Sequence, residues 1–481
     1  MPQDTLNTYT SPLASRNATP EMQAVWSPRR KFETWRRIWL ALAQAQQSLG
    51  LPITDQQLAE LKAALSVSQQ DLDRAAHHEQ RLRHDVMAHV HALAERAPAA
   101  KPIIHLGATS QDVNCNTELT LLRDALRLVC DKTARVIDAL SSFAKSHRDT
   151  PCLAFTHFQP AAPTTLGKRA ATWAYDLVLC LERLERTRDD IRLRGFRGAT
   201  GTQASFLALF PANPDAPDKL DAALAKDLAF DEGHTYSLSN QTYPRVVDAF
   251  ILSDLASLAA ALHKVATDLR LLAHRRELDE PFESEQIGSS AMPWKRNPMR
   301  SERICGLTRF VISLAHNAHD TAAVQWLERT LDDSSNRRLS LPEAFLALDG
   351  ALDTMHNVAA GLIPNEHVIR ANLDAELPFL ATERLMMAAV SNGKDRQDVH
   401  EAIRKHTHAA AALLKQGKPS DLLDRLRAEP LLKGVNIDDE LNPARHVGLA
   451  PRQVDRFLQA VAAPIRARYA DRLAPPPALR V

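Results

Sequence analysis

Glycine is scarce, 15 in 481 residues, about half the usual ~7%, and aromatic residues make up only 5%. Beside 45% hydrophobic residues and abundant Ala and Leu, that shortage argues against a strand-rich architecture and for an all-α chain. Cysteine is sparse too. Cys115, Cys130, Cys152, Cys180 and Cys305 are odd in number, lack CxxC spacing and fall mostly in apolar helical stretches, which argues against a disulfide framework or zinc ribbon and for reduced core thiols. Neither sign of charge dominates: 59 Lys and Arg face 58 Asp and Glu, and a net charge of +1 leaves no overall field for nucleic acid or an anionic membrane. Any anion must therefore be gripped by a local cluster. No window approaches roughly 18 uninterrupted apolar residues, and the polar opening MPQDTLNTYTSPLASRN has no signal-peptide core, so a cytoplasmic chain is expected.

What the chain does have is helical periodicity. Three long runs alternate apolar spacings of three and four: Leu119, Leu122, Leu126, Val129, Thr133, Val136, Leu140, Phe143; Trp173, Leu177, Cys180, Leu184, Thr187, Ile191; and Ile251, Leu255, Leu258, Leu262, Val265, Leu269, Leu272. Seams this regular call for partner helices, and together they exceed what one compact core needs, so bundling between subunits is expected. At roughly 150 residues per domain the length suits about three domains. We place them at 1–110, 111–364 and 365–481, with helices preceded by a looped arm over Ser11–Arg30 and followed by a Pro-rich tail, Pro475–Pro477.

The interruptions carry the chemistry. Gln286–Arg303, QIGSSAMPWKRNPMRSER, holds two prolines five residues apart and reads as a loop, with Gly288 as its hinge and Ile304, Leu307, Val311 and Leu314 starting the helix that anchors it. A loop of this kind can bring Ser289, Lys295 and Asn297 to a ligand together. Elsewhere HHEQRLRHDVMAHVHALAER puts five histidines on one expected helix, where His84 and His91 would share a face. Without HExxH or a third ligand, no metal is expected. Thr109 and Ser110 precede a long helix, either as its cap or as donors to a carboxylate. His157 lies on a turn between Pro160, Pro163 and the preceding segment, and Gly195, Gly198 and Gly201 have GxxGxxG spacing rather than a dinucleotide fingerprint.

GSSAMPWKRNP resembles the GSSxMPxKxNP signature of the fumarase/aspartase superfamily, whose members cleave a C–N or C–O bond by β-elimination and release fumarate or a close analogue. With the flanking MRSER it most resembles the adenylosuccinate lyase family. RHDV, GATS, THFQPA, SNQTYPR and ERTLDDSSNRR extend the likeness from about Ser11 to GLAPRQV near Gly448. The resemblance implies a homotetramer whose central helices form one shared bundle and whose active sites combine more than one chain. It implies no cofactor, and the small-molecule substrates adenylosuccinate (N6-succinyl-AMP) and the succinylated carboxamide ribotide SAICAR.

By residue, it implies Ser289 as base, His157 as general acid assisted by His84, and Lys295 with Asn297 on the substrate carboxylate. Arg83, Asp85, Thr109, Ser110, Thr156, Gln241 and Arg303 would contact substrate. Arg329, Ser334 and Arg338, with Ser15 and Arg16, would hold phosphate and ribose. Where the family commonly reads SRY this chain reads SRN, so Asn17 stands for a tyrosine that helps hold phosphate; an amide can still donate there. The rival readings are another fumarate-releasing enzyme such as an argininosuccinate lyase, which has no use for the Arg329–Arg338 cluster, or a helical bundle that has lost activity.

Overall fold

The computed structural model describes residues 7–231 and 233–479. Its first surprise is at the N-terminus. Helix α1 (Pro20–Val25) and helix α2 (Pro28–Ser48) begin where Thr19 and Ser27 accept hydrogen bonds from the Met22 and Arg30 N–H groups, at 3.3 and 3.2 Å. The prolines that suggested a loose arm over Ser11–Arg30 occupy the first helical position, where a missing N–H costs nothing. The expected arm is thus a π-helical turn, Leu13–Asn17, followed by two capped helices.

Helix α3 (Asp55–Ala63) opens with a reciprocal Thr54/Gln57 capping box. Next come α4 (Gln69–Leu82) and α5 (Asp85–Arg96), parted by Arg83 in the left-handed conformation at φ 53°. The five histidines therefore do not share one helix. His77 and His78 lie on α4, His84 caps α5, and His89 and His91 lie within α5.

Helix α6 (Ser110–Ser146) runs 37 residues, then a hairpin of β1 (Pro151–Thr156) and β2 (Gln159–Thr165) leads into α7 (Leu166–Asp189). After α8 (Ala204–Leu209) and α9 (Ala216–Asp227) come α10 (Val246–His274), α11 (Met299–Ala323) and α12 (Asp332–Ala360); a two-residue ribbon pairs β3 (Leu278–Asp279) with β4 (Ile363–Pro364). The C-terminal part is α13 (Glu366–Leu380), α14 (Thr382–Ser391), α15 (Arg396–Lys415), α16 (Leu422–Ala428), α17 (Ile437–Glu440), α18 (Ala450–Phe457) and α19 (Ala463–Arg468). The all-α expectation holds.

Three cores form. The largest joins α6, α7, α10, α11 and α12 with the chain's last helices, and each apolar seam read from the sequence is buried in it or packed against it. By length and composition α10 is apolar enough to cross a membrane, but its stripe from Ile251 to Leu272 lies in this core. A second core unites α2, α3 and α5 with Leu193–Leu228, and a third joins α14, α15 and α16.

Not every apolar side chain is covered. Tyr175 and Leu179 on α7, Phe250 on α10, Ile312 on α11 and Leu339 on α12 are all more than a third exposed. All five cysteines are unpaired.

Candidate functional site

The predicted residues gather into separate groups on separate elements. The first forms where the α4–α5 joint meets the starts of α6 and α12. His84 accepts a 3.4 Å hydrogen bond from the Met87 N–H at Nδ1, and its Nε2 lies 3.3 Å from the Ser110 hydroxyl. One residue on, Asp85 receives the exposed Arg338 guanidinium at 2.8 Å. Burial pushes the Asp85 carboxyl up, but the Val86 N–H, Arg338 and Lys31 outweigh it and hold its pKa below the usual carboxylate value. Arg83 is exposed beside them, its backbone ending α4.

Thr109 and Ser110 sit at the head of α6, where Asp112 reaches back to the Thr109 N–H at 2.7 Å. Asp112 is also the anchor of the glycine loop. It ion-pairs with Arg194 and accepts from the N–H groups of Arg197 (2.8 Å) and Gly198 (3.2 Å), while the other two loop glycines, also at positive φ, lie against the Asp221 carboxylate (Gly195) and the Ser239 carbonyl (Gly201). Gln241 closes the same region by donating to the Ala199 carbonyl at 2.8 Å.

Behind this face lies a network that sequence reasoning missed. Arg337 pairs with Asp248 at 2.6 Å and Glu118 at 2.8 Å and donates to the Tyr243 oxygen, while Tyr243 donates to Asp248 at 2.6 Å. Arg329 and Arg245 share Asp333, at 2.9 and 2.7 Å. Ser334, half-buried, follows Asp333 on α12. The repeated Arg and Asp in ERTLDDSSNRR were visible, and Tyr243 lies in SNQTYPR, but nothing in either motif pairs them, and Glu118 and Asp248 carry no motif. Lys31 was missed for the same reason. Its ammonium lies over the Phe32 and Trp35 rings, and burial together with Arg338 lowers its pKa against the pull of Glu118, Asp85 and Glu79.

The second group stands at the tip of the hairpin. Thr156 pairs with Gln159, leaving His157 and Phe158 as a two-residue turn with φ of 53° and 55°. Asn-Gly is what such a turn prefers, and holding two bulky side chains there costs about 1–3 kcal/mol each. Strain of that kind points to a site where the side chain's direction matters more than stability. Thr156 and His157 are exposed.

The third is the Gly288–Asn297 loop. Gly288 is not the hinge expected of it; a Cβ there would fall 2.2 Å from the Lys295 carbonyl, so glycine is needed because the chain returns against itself. Asn297 locks that closure by donating from Nδ2 to the Gly288 carbonyl at 2.9 Å. The closed base holds Ser289 and Lys295 on one small loop, and the Ser289 hydroxyl accepts the Met292 N–H at 3.2 Å. Pro298 ends the loop, so Met299–Arg303 of the expected loop stretch form the first turn of α11.

On α11, Arg303 has its pKa lowered by burial and by Arg16 and Arg300, against Glu280. Asn17 donates from Nδ2 to the Pro12 carbonyl at 2.9 Å, and its backbone packs so closely on α12 that a Cβ on Gly350 would lie 2.9 Å from the Asn17 oxygen.

The comparisons with known proteins agree with one another. Residues 15–312 match a family model described as Lyase, and residues 378–457 one described as Adenylosuccinate lyase C-terminus. The chain is 48% identical to an adenylosuccinate lyase of Saccharomyces cerevisiae over 94% of each chain, and 46% identical to one of Schizosaccharomyces pombe over the same shares. Its structure is similar to a crystal structure of 3-carboxy-cis,cis-muconate lactonizing enzyme from Pseudomonas putida, with a TM-score of 0.81 and 26% identity over 95% of this chain and 99% of that one.

Proposed function

This chain belongs to the adenylosuccinate lyase family, and from that premise we infer that it is a carbon–nitrogen lyase eliminating fumarate from N6-succinyl-AMP, giving AMP, and from SAICAR, giving AICAR, in purine nucleotide biosynthesis. The relatives' names and the span of the matches support the activity. We assign each chemical step to a residue as the reaction requires.

β-Elimination needs a base for a carbon-bound proton, a stabiliser for the carbanion that results, and an acid for the departing nitrogen. No oxidant, reductant or carrier enters, because the C–H electron pair becomes the new C=C bond, the C–N pair leaves with the nitrogen, and the protons pass through a protein base and a protein acid. Ser289 is the base. A serine hydroxyl is a poor base in water, so its alkoxide depends on a closed, water-excluding loop, on the Met292 N–H already at 3.2 Å, and on Lys295 from the same loop. Lys295 neutralises the carboxylate beside the carbon that loses its proton, and Asn297 donates to it from the second N–H of Nδ2 while the first stays on the Gly288 carbonyl. His157 protonates the leaving nitrogen, and His84, held by Met87 and Ser110, assists it; a positioned acid contributes typically ~10²–10⁴-fold.

Thr109, Ser110, Thr156 and Gln241 receive the succinyl and amide portions, with Arg83 and Asp85 beside them. Arg16, Arg303, Arg329, Ser334 and Arg338 take the phosphate and ribose, since forked guanidinium donors match phosphate oxygens. Asn17 fastens the Arg16 turn through one N–H of its amide and has the second to offer to phosphate. Because His157, Ser289 and His84 belong to three different elements, and because the long helices keep apolar side chains exposed, we infer a cytoplasmic homotetramer in which copies of the chain complete each site.

One observation carries the mechanism: a serine and a lysine on a loop that is closed at its base by its own asparagine and glycine. For Ser289→Ala we expect fumarate release, followed by ultraviolet absorbance, to drop by at least ~10²-fold while AMP still binds. A variant that turns over at the normal rate puts the base elsewhere, with Ser290 first in line.

A further inference from the structure

Arg16, one of the residues given to the phosphate, sits on the π-helical turn Leu13–Asn17, is exposed, and among the described residues enters no ion pair. A turn of five residues with none of them buried cannot hold a side chain in place unaided. Its position comes from α12. Gly350, inside that helix, has Asn17 against it: a Cβ there would fall 2.9 Å from the Asn17 Cβ and carbonyl oxygen and 3.0 Å from its carbonyl carbon. Two of those three atoms belong to the backbone, so no change of rotamer makes room. Glycine weakens a helix interior relative to alanine, and the close approach of the Arg16 turn is what requires it here.

One residue earlier, the fully buried Asp349 takes the Thr19 N–H at 2.7 Å and the Thr19 hydroxyl at 2.9 Å on one oxygen, and the Lys132 ammonium of α6 at 2.5 Å on the other. From α1, Gln23 donates to the Ala14 and Ala18 carbonyls, each at 2.9 Å. The turn is thus tied along its length and seated on a bare patch of helix. The same helix carries Ser334 and Arg338 near its head, with Gly350 about 18 Å further along, so one rigid element fixes where both groups of phosphate donors stand.

We propose that Gly350 and Asp349 are positioning residues for nucleotide binding: the seat they form on α12, with Gln23 as its fastener, holds the Leu13–Asn17 turn where Arg16 meets the phosphate. None of the three touches the nucleotide. This rests on the phosphate role of Arg16 given above.

Calorimetric titration of the assembled enzyme with AMP, and with adenosine as the ligand lacking phosphate, tests it. Gly350→Ala adds a methyl that favours the helix and leaves the turn no room. It is expected to weaken AMP binding by about tenfold, as losing a charge-assisted contact does, to raise KM for N6-succinyl-AMP by a similar factor with kcat within about threefold, and to leave adenosine binding unchanged. In an Arg16→Ala background the same substitution is expected to cost AMP less than about threefold, the share of the neutral Asn17 amide. A full tenfold loss in that background means that Gly350 acts on the phosphate by another route along α12 and overturns the proposal. So does an equal loss for adenosine, which marks a packing defect, and so does an unchanged AMP affinity. Should Gly350→Ala not assemble, Gln23→Leu decides in its place: it frees the Ala14 and Ala18 carbonyls without altering α12 and is expected to weaken AMP binding by about threefold and adenosine binding not at all, and an AMP affinity left as it was overturns the proposal. Arg16→Ala separates the premise from the inference: if it leaves AMP binding intact, the phosphate assignment fails first; if it weakens binding while Gly350→Ala does not, only the seat fails.

Discussion

Around Asp112 and Arg337 each main charge is answered from within the chain: Arg194 and two backbone N–H groups for the first, Asp248, Glu118 and Tyr243 for the second. The hairpin tip and the Gly288–Asn297 loop are built the other way. His157 is held outward on a strained turn, and the loop uses its internal hydrogen bonds for its own closure, with Trp294 77% and Ile287 75% exposed. A buried charge must find its partner at folding or bear the full desolvation penalty. A reactive group must keep its partner places open until substrate arrives. The contrast separates residues that complete the scaffold from residues that wait for other molecules, whether ligand or neighbouring subunit.

The sharpest way to break this contrast is to ask whether the waiting groups belong to one chain's site. Ser289→Ala and His157→Asn variants, each inactive alone, are expected to regain fumarate release when co-expressed or mixed through dissociation and reassembly, because some sites then draw an intact serine from one chain and an intact histidine from another. Mixtures that stay as inactive as their parents would mean that both groups serve the same site from the same chain. The next largest effect belongs to the scaffold side. Arg337→Met strands the Asp248 and Glu118 carboxylates and is expected to lower stability by about 3–5 kcal/mol in urea unfolding, the usual cost of breaking a buried pair. Ser289→Ala should leave that unfolding curve unmoved. A stable Arg337→Met protein would erase the distinction between the two sets.

The sequence was informative where local rules act alone. Periodicity located α6, α7 and α10 because buried stripes repeat every three or four residues whatever lies opposite. The Pro-flanked turn at His157 was legible too, although its left-handed backbone was not. Prolines misled at Pro20 and Pro28, since the same residue that breaks a helix interior also starts one, and only the Thr19 and Ser27 caps tell the cases apart. Contacts between distant segments stayed hidden. Nothing local says that Leu193–Leu228 packs with α2, that Gly288 lies against Lys295, or that Arg338 reaches Asp85 from 253 positions away.

The smallest effect sharpens the contrast by pH. His89, stacked on Phe32 with ring centroids 3.7 Å apart, has its pKa lowered to about 4 by burial and then by Arg36 and Lys31. His105, whose Nδ1 accepts the Trp39 indole N–H at 3.0 Å, and His356 are likewise lowered to about 4, chiefly by burial. Unfolding returns each ring to its ordinary value of 6.5, so between 6.5 and 4 the unfolded chain binds more protons than the folded one. Stability is therefore fully present above 6.5 and is lost as pH falls through that window, by roughly 1 kcal/mol per ring at about pH 5.5. His89→Gln removes one of three such groups and should shrink the drop in urea midpoint between about pH 7.5 and pH 5.5 by about a third. Replacing His157, exposed and outside the core, should leave the drop as it was; if that variant flattens the curve instead, the hairpin tip is part of the scaffold and the division between the two sets has been drawn in the wrong place.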